Sequence, residues 1–519
     1  MKRSIGLGCI ILAGACGSSE NAAAPSVDGS GFAPDDPTST TTNALSGSLA
    51  RNITIDQISA FQVVEVPLAK DGARADRTIT GLANAGAACT TSDDCTAARE
   101  CSKSGQCLPA VKLIAKRAAV LRIFVTPGPG WQPTTLTARV KIRFSGPTGS
   151  ETRVVYNTKL VTKPSTMAEL DSTINVDLPG DTLEPSATFG VVLNQAGGDA
   201  ATPKSTSRYP MDGSLDDLAV VGGADVMHLQ LVPIVRGGGD PVPDTSPAKL
   251  KSIADRFMQL YPIASIDLTV HAPYTLMGSG GNDVALMEIN NLHGKDGVPS
   301  SLYYYGVLNN AGGGLSGLGP PASVGDNDAE VMAHEVGHAH GLQHAPYCGA
   351  PGTPPNYWPA DSSHEQGHLG RWVYDFLGKT MIDPSSRTDI LSYCPNKWIS
   401  DFHYMRFYMQ VRGDNRFYGY HDGLEGRQQV PSHRGLYILS DGSTQWSTTS
   451  MAQSWITRGE PQVVLASTAS GTKTGQGYYF PYDHLPGGIL MVSEETLQDA
   501  ITVKAPALSA PVVVEHANR

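Results

Sequence analysis

Residues 334–344 read His-Glu-Val-Gly-His-Ala-His-Gly-Leu-Gln-His. Histidines four apart on a helix share one face, so His334 and His338 can present two imidazoles to one zinc ion. Glu335 stands beside the first of them, where its carboxylate reaches a water on the metal without taking a coordination position. Gly341 tolerates φ > 0 and can turn the chain sharply, which lets His344 return as a third ligand. Three nitrogens leave a fourth position open for water, the arrangement of a catalytic rather than a structural zinc. Zinc in such a site acidifies its water and polarises a carbonyl, and Glu335 is the general base that passes the proton to a leaving amine.

These residues need a helix, a turn and a sheet to hold them. Asn327 with Glu330 forms a capping box, which predicts a helix from there to about His340. His340 points away from the ligand face and reads as a surface residue or a support behind the ligands. Upstream, Tyr303-Tyr304-Tyr305 is a strand with aromatic packing or, on the sharper reading, the edge strand that pairs with a bound peptide. A second His-Glu-x-x-His occurs at His364-Glu365-Gln366-Gly367-His368. Arg371 and Tyr374 stand where a later glycine and third histidine would fall, and proline-rich 351–359 precedes it. It reads as a loop near the cleft rather than a metal site.

The strong motif resembles the signature of the metzincin zinc endopeptidases, His-Glu-x-x-His-x-x-Gly-x-x-His, at every fixed position. The resemblance implies a methionine turn beneath the metal, and the matching stretch is Thr388-Asp389-Ile390-Leu391-Ser392-Tyr393-Cys394. Leu391 stands at the methionine position, and its similar volume keeps the apolar floor. Tyr393, two places on, holds the position of a tyrosine that lies near the zinc in astacin-like and serralysin-like members. It can hydrogen-bond a developing oxyanion. Ile399, Phe402, Met405 and Met409 suit the closing helix that such proteins place behind the site. The resemblance spans roughly 226–413.

Eight cysteines are present, of which Cys9 and Cys16 belong to the N-terminal region. Cys89, Cys95, Cys101 and Cys107 are evenly spaced and lack close Cys-x-x-Cys pairs, so a two-disulfide module of unassigned pairing is favoured over a zinc ribbon. Cys348 and Cys394 flank the chemistry; bonded to each other, they tie the two halves of the metal site together. An even set of six suits an oxidising compartment.

Lys2 and Arg3, the apolar run Ile5–Leu12 and small residues to Ala15 read as a signal peptide, 1–15. Ala13-Gly14-Ala15-Cys16 resembles a bacterial lipobox, which implies a lipid anchor at Cys16 and an exported chain: an outer-membrane or cell-surface lipoprotein, otherwise a secreted protein. Residues 16–48 read as a flexible tether. The remainder divides into a β-sandwich domain at 49–225 with a cysteine-rich insert at about 84–109, a catalytic domain at 226–413 and a C-terminal β domain at 414–519. The alternation of Leu136, Ala138, Val140, Ile142 and Phe144 with polar residues marks a half-buried strand. Ser246-Pro247 followed by Leu250, Ile253, Phe257 and Leu260 marks a capped helix.

The expected architecture is therefore an α+β metzincin-like catalytic domain flanked by β-sandwich-type domains. With 38 Lys+Arg against 49 Asp+Glu and no basic stripe, the chain is a poor partner for nucleic acid. Aspartate- and glycine-rich turns such as Gly325–Asp328 offer carboxylates to calcium, without EF-hand spacing. The leading function is a zinc-dependent endopeptidase acting on extracellular proteins or glycoproteins, with one catalytic zinc on His334, His338 and His344, Glu335 as base and Tyr393 as oxyanion donor. The alternatives are a surface adhesin or glycan-binding protein with a vestigial protease domain and, more weakly, a hydrolase of non-peptide amides.

Overall fold

The computed structural model describes residues 27–28, 48–82, 86–95, 98–147, 149–198, 205–222, 226–237, 240–277, 280–411 and 431–515. The signal segment 1–15, Cys16, most of the 16–48 tether, His421, Glu425 and His516 lie outside them. Within the tether segment, Val27–Asp28 pairs antiparallel with Ser265–Ile266.

At the centre is a mostly parallel sheet. Its strands are β1 (Val226–Val235), β2 (Ser265–Val270), β3 (Leu302–Leu308), β4 (Gly314–Ser316) and β5 (Ala322–Asp326), in spatial order β2-β1-β3-β5-β4. Of these five, β4 runs antiparallel to its neighbour and forms one edge, while the short Val27–Asp28 strand pairs antiparallel at the other. Four helices accompany the sheet: α1 (Pro247–Leu260), α2 (Asn282–Asp296), α3 (Ala329–Ala339) and α4 (Asp401–Val411). The Ser246-Pro247 start holds for α1, where the Ser246 hydroxyl accepts from Lys249 N and Leu250, Ile253, Phe257 and Leu260 are buried.

Tyr303–Tyr305 is not an edge. Strand β3 lies between β1 and β5, paired with β1 from Leu302 to Val307 and with β5 from Tyr304 to Leu308, so it offers no open edge to a peptide. The edge strand on that side is β4, too short and glycine-rich to stand out by alternation.

Before this unit, two antiparallel sheets run from Ile53–Phe61 to Asp216–Asp217, and inward residues of both, such as Ile58, Leu121, Ile142 and Val191, join one hydrophobic cluster. Strand Thr134–Gly146 buries Leu136, Ala138, Val140, Ile142 and Phe144, as their alternation requires. The cysteine module is closed by Cys89–Cys101 and Cys95–Cys107 disulfides, so its thiols are not zinc ligands.

The C-terminal unit is one seven-stranded antiparallel sheet rather than two stacked sheets. The second sheet is not needed, because helix α2 and the central sheet cover that face. Ile489 and Met491 join Leu286, Ile289 and Tyr304 of the central unit in one core, while alternate residues Leu490 and Val492 enter the sheet's own core. Among the described residues no helix is long and apolar enough to cross a membrane.

One buried cation fastens the N-terminal unit to the central one. The Arg117 guanidinium donates to the carbonyls of Tyr261 (2.5 Å), Ile263 (3.0 Å), Gln62 (3.1 Å) and Met258. Two of these carbonyls end helix α1, whose last turn has no intrahelical donors for them. Arg117→Leu should lower unfolding stability by about 3 kcal/mol, because several buried carbonyls lose their donor at once. Urea denaturation of the variant against the parent protein measures it; an unchanged midpoint would show that the guanidinium does no such fastening.

Candidate metal centre

Helix α3 starts one residue later than the sequence suggests. Asp328, not Asn327, is the N-cap: its carboxylate accepts from Glu330 N (2.9 Å) and Val331 N (3.0 Å). Asn327 instead donates its side-chain amide to Asp244 O (2.9 Å). Asp326 accepts from Ala311 N and Gly313 N, so both acids of the Gly325–Asp328 stretch serve the backbone, and neither joins a metal-type cluster among the described residues.

From that helix His334 and His338 project together. Gly341 follows with φ +81°, and the reversed chain delivers His344. All three imidazoles have the same tautomer, fixed by backbone carbonyls: Nδ1–H of His334 donates to Ile390 O (2.8 Å), of His338 to Leu342 O (2.6 Å), and of His344 to Pro351 O (2.8 Å). Each Nε2 is therefore a bare lone pair. The three lie 3.0 Å (His334–His338), 3.1 Å (His338–His344) and 3.3 Å (His334–His344) apart. No proton is left to bridge them, and the cluster is one that could hold a cation between the three rings. A tetrahedral ion bound at about 2.0–2.1 Å spaces its donors about 3.3–3.4 Å apart, close to these separations. Burial pushes all three imidazoles toward the neutral form that binds metal.

Glu335 is buried beside them, and its Oε2 has no hydrogen-bond partner within the protein. Burial first, and then the nearby Asp483 carboxylate, raise its pKa well above the usual range. Strand β4 passes so close that a Cβ at Gly314 would come within 2.4 Å of the Glu335 side chain, which is why glycine stands there. An unpartnered carboxylate in such a slot is placed to take a proton from a small molecule rather than to hold the fold together.

The turn 388–394 lies beneath. Leu391 is fully buried at the methionine position, and its carbonyl accepts from Ala345 N (3.1 Å). Asp389, buried, organises the turn: it accepts from Leu391 N (2.7 Å), Ser400 N (2.9 Å) and His403 Nδ1 (2.7 Å). Beyond it, Tyr357 OH bridges to His403 Nε2 (2.9 Å) and accepts from Gln343 N (2.8 Å), which closes a circuit from the turn to the loop carrying His344. Cys348 and Cys394 are disulfide-bonded and join the same two segments covalently. Tyr393 is exposed on the open side, its ring centroid 5.0 Å from that of His344 and 6.1 Å from that of His334.

Two histidines fall elsewhere. His340 is buried, not on the surface, stacked on Tyr303 at 3.8 Å between ring centroids, and burial pushes its pKa down to about 3. His364, from the second His-Glu-x-x-His, sits at a short turn (Glu365–Gly367) clamped between Asp361 (2.8 Å) and Asp401 (2.7 Å), with Glu365 exposed.

Sequence reasoning missed a fourth group. Asp483, from the C-terminal sheet, brings a carboxylate oxygen within 4.8 Å of each of the three donor nitrogens. Nothing local in Tyr482-Asp483-His484 marks it as more than a turn residue. It also passed over Asp389 and His403, which support the ligands without touching the metal position.

The donor set, three histidines with a buried carboxylate beside them, is that of a candidate metal centre. Residues 299–403 match the family model Peptidase M66, a span that contains all three histidines, Glu335 and Tyr393. The match supports a metallopeptidase. No curated protein and no solved structure matches the chain.

The clamp on His364 makes stability depend on pH. Burial alone would depress its pKa, but Asp401 and Asp361 outweigh burial and hold it at about 9. A pKa raised above its unfolded value of about 6.5 stabilises fully below that value and is lost as pH rises through about 9. At pH 7 the protein should exceed His364→Gln in stability by about 2–3 kcal/mol, with the gap closing by pH 10. Urea midpoints at the two pH values test it; a gap that does not change with pH would show that the imidazole is neutral in the fold.

Proposed function

We propose that this chain is an exported zinc endopeptidase of the metzincin type, cleaving extracellular proteins or glycoproteins. The single observation that carries the reading is the convergence of three Nε2 lone pairs, each locked by its own Nδ1–H···O=C bond, beside a buried carboxylate without a partner. Nitrogen donors at tetrahedral spacing favour zinc among the common divalent ions. The metzincin assignment is supported by the third histidine after Gly341 and by the apolar turn at Leu391.

Zinc, when bound, supplies a Lewis acid that polarises the scissile carbonyl and acidifies water. Glu335 takes the proton from the attacking water and returns it to the leaving amine. Tyr393 donates its phenolic hydrogen to the developing oxyanion; partial burial of the ring first, and then the Asp483 and Glu335 carboxylates, raise its pKa and keep that hydrogen in place. Strand β4 offers backbone groups to an extended peptide, which would add as one more antiparallel strand. Three disulfides fit an oxidising compartment, and a signal peptide with a lipid anchor at Cys16 would deliver the chain there.

The test is metal content and casein cleavage by the full-length protein. One zinc per chain is expected, with turnover abolished by a chelator and restored by zinc. Glu335→Gln should keep the zinc and lose at least about 100-fold in turnover, the size of a general-base contribution. Undiminished cleavage in that variant, or protein that takes up no zinc, would overturn the reading.

A further inference from the structure

Strands Gly471–Pro481 and Gly488–Ser493 form a hairpin whose connecting residues, 482–487, reach into the metal centre. The backbone of this tip continues the central sheet. Leu318 N donates to Pro481 O (3.1 Å), Tyr482 bridges antiparallel to Gly317, and Asp483 N donates to Ser316 O (3.0 Å). Residues 481–483 therefore lie along the end of edge strand β4 as an added antiparallel strand. That is the position an extended peptide would take.

The side chain completes the likeness. Asp483 Oδ1 accepts from Ser316 N (2.9 Å), while Oδ2 lies 3.9 Å from His338 Nε2 and faces His484 Nδ1. The carboxylate is wholly buried, next to the buried Glu335. Two carboxylates and three nitrogen lone pairs in one water-poor space are costly unless a cation lies among them. Asp483 brings an oxygen within 4.8 Å of all three donor nitrogens, where it would join them on a bound cation.

We propose that Asp483 is a fourth metal ligand and that residues 481–483 act as a built-in pseudo-substrate, so the folded chain blocks its own peptide site. The proposal rests on the endopeptidase reading above. The moving part is the turn after Tyr482, not the sheet. Phe480, Tyr482, Ile489 and Met491 are fixed in the core shared with the central unit, whereas Gly487 and Gly488 have φ +101° and +152° and give the turn its reversal. Withdrawal of Asp483 opens the fourth position to water and frees the end of β4 together.

The experiment compares full-length wild type, Asp483→Ala and Asp483→Asn, with Asp483→Ala/Glu335→Gln as a control. Asparagine keeps an acceptor for Ser316 N–H, so Asp483→Asn decides the matter if the alanine variant does not fold. Zinc affinity is read by competition with a chromophoric chelator, the coordination shell by the visible absorption of the cobalt(II)-substituted protein, and turnover with casein. Expected are zinc binding weakened about tenfold or more, a shifted cobalt spectrum and casein turnover raised at least about tenfold, all of it lost in the control. Equal affinity, an unchanged spectrum and equal turnover would overturn the proposal, as would turnover that falls, since Asp483 would then assist rather than block. If the spectrum and affinity change but no variant cleaves casein, Asp483 stands as a ligand, while the endopeptidase reading and the self-blocking built on it both fail.

Discussion

Three imidazole lone pairs face one another across 3.0–3.3 Å, and the rest of the central unit follows from holding them there. Without a cation this contact repels. The fold counters the repulsion by anchoring the far nitrogen of each ring to a backbone carbonyl, one on the turn before Leu391, one just past Gly341 and one at Pro351. Three separate segments must therefore be in register before a metal can be gripped. The Asp389–His403–Tyr357 circuit and the Cys348–Cys394 bond join those segments and are best understood as means to that register.

The environment of Glu335 follows from the same constraint. A carboxylate next to the ligands must be dry enough for its pKa to rise, yet keep one oxygen uncommitted. Strand β4 achieves both by approaching without a side chain at Gly314. A larger residue there would push the strand away, wet the carboxylate and lower its basicity.

Much of the site was legible because it is local. His334, Glu335, His338, Gly341 and His344 lie within one helix and its turn, where spacing alone settles which side chains share a face. Leu391 and Tyr393 were legible through likeness to a known turn. Other features depend on tertiary contacts that spacing does not encode. Helix α2 went unread because it is buried on two sides: Asp283, Glu288, Asn290 and His293 lie inside, so no polar face alternates with an apolar one. Asp283 accepts from Ser440 N and Oγ, and Glu288 from Tyr274 OH and Met277 N, partners that only the assembled fold supplies. Asp483 went unread for the same reason, since its meaning lies in what it faces rather than in its neighbours along the chain. The capping error at Asn327 was of one residue, between two side chains with the same ability to accept from the first turn.

Because Tyr437, Trp455, Ile489 and Met491 share a core with Val232, Leu286, Ile289 and Tyr304, no cut near residue 413 yields two finished domains. A fragment trimmed to the ligand-bearing unit would leave α2 with a greasy, solvent-facing flank and Asp283 without its Ser440 donors, and it would tend to self-associate. The smallest piece worth expressing thus carries its final sheet with it.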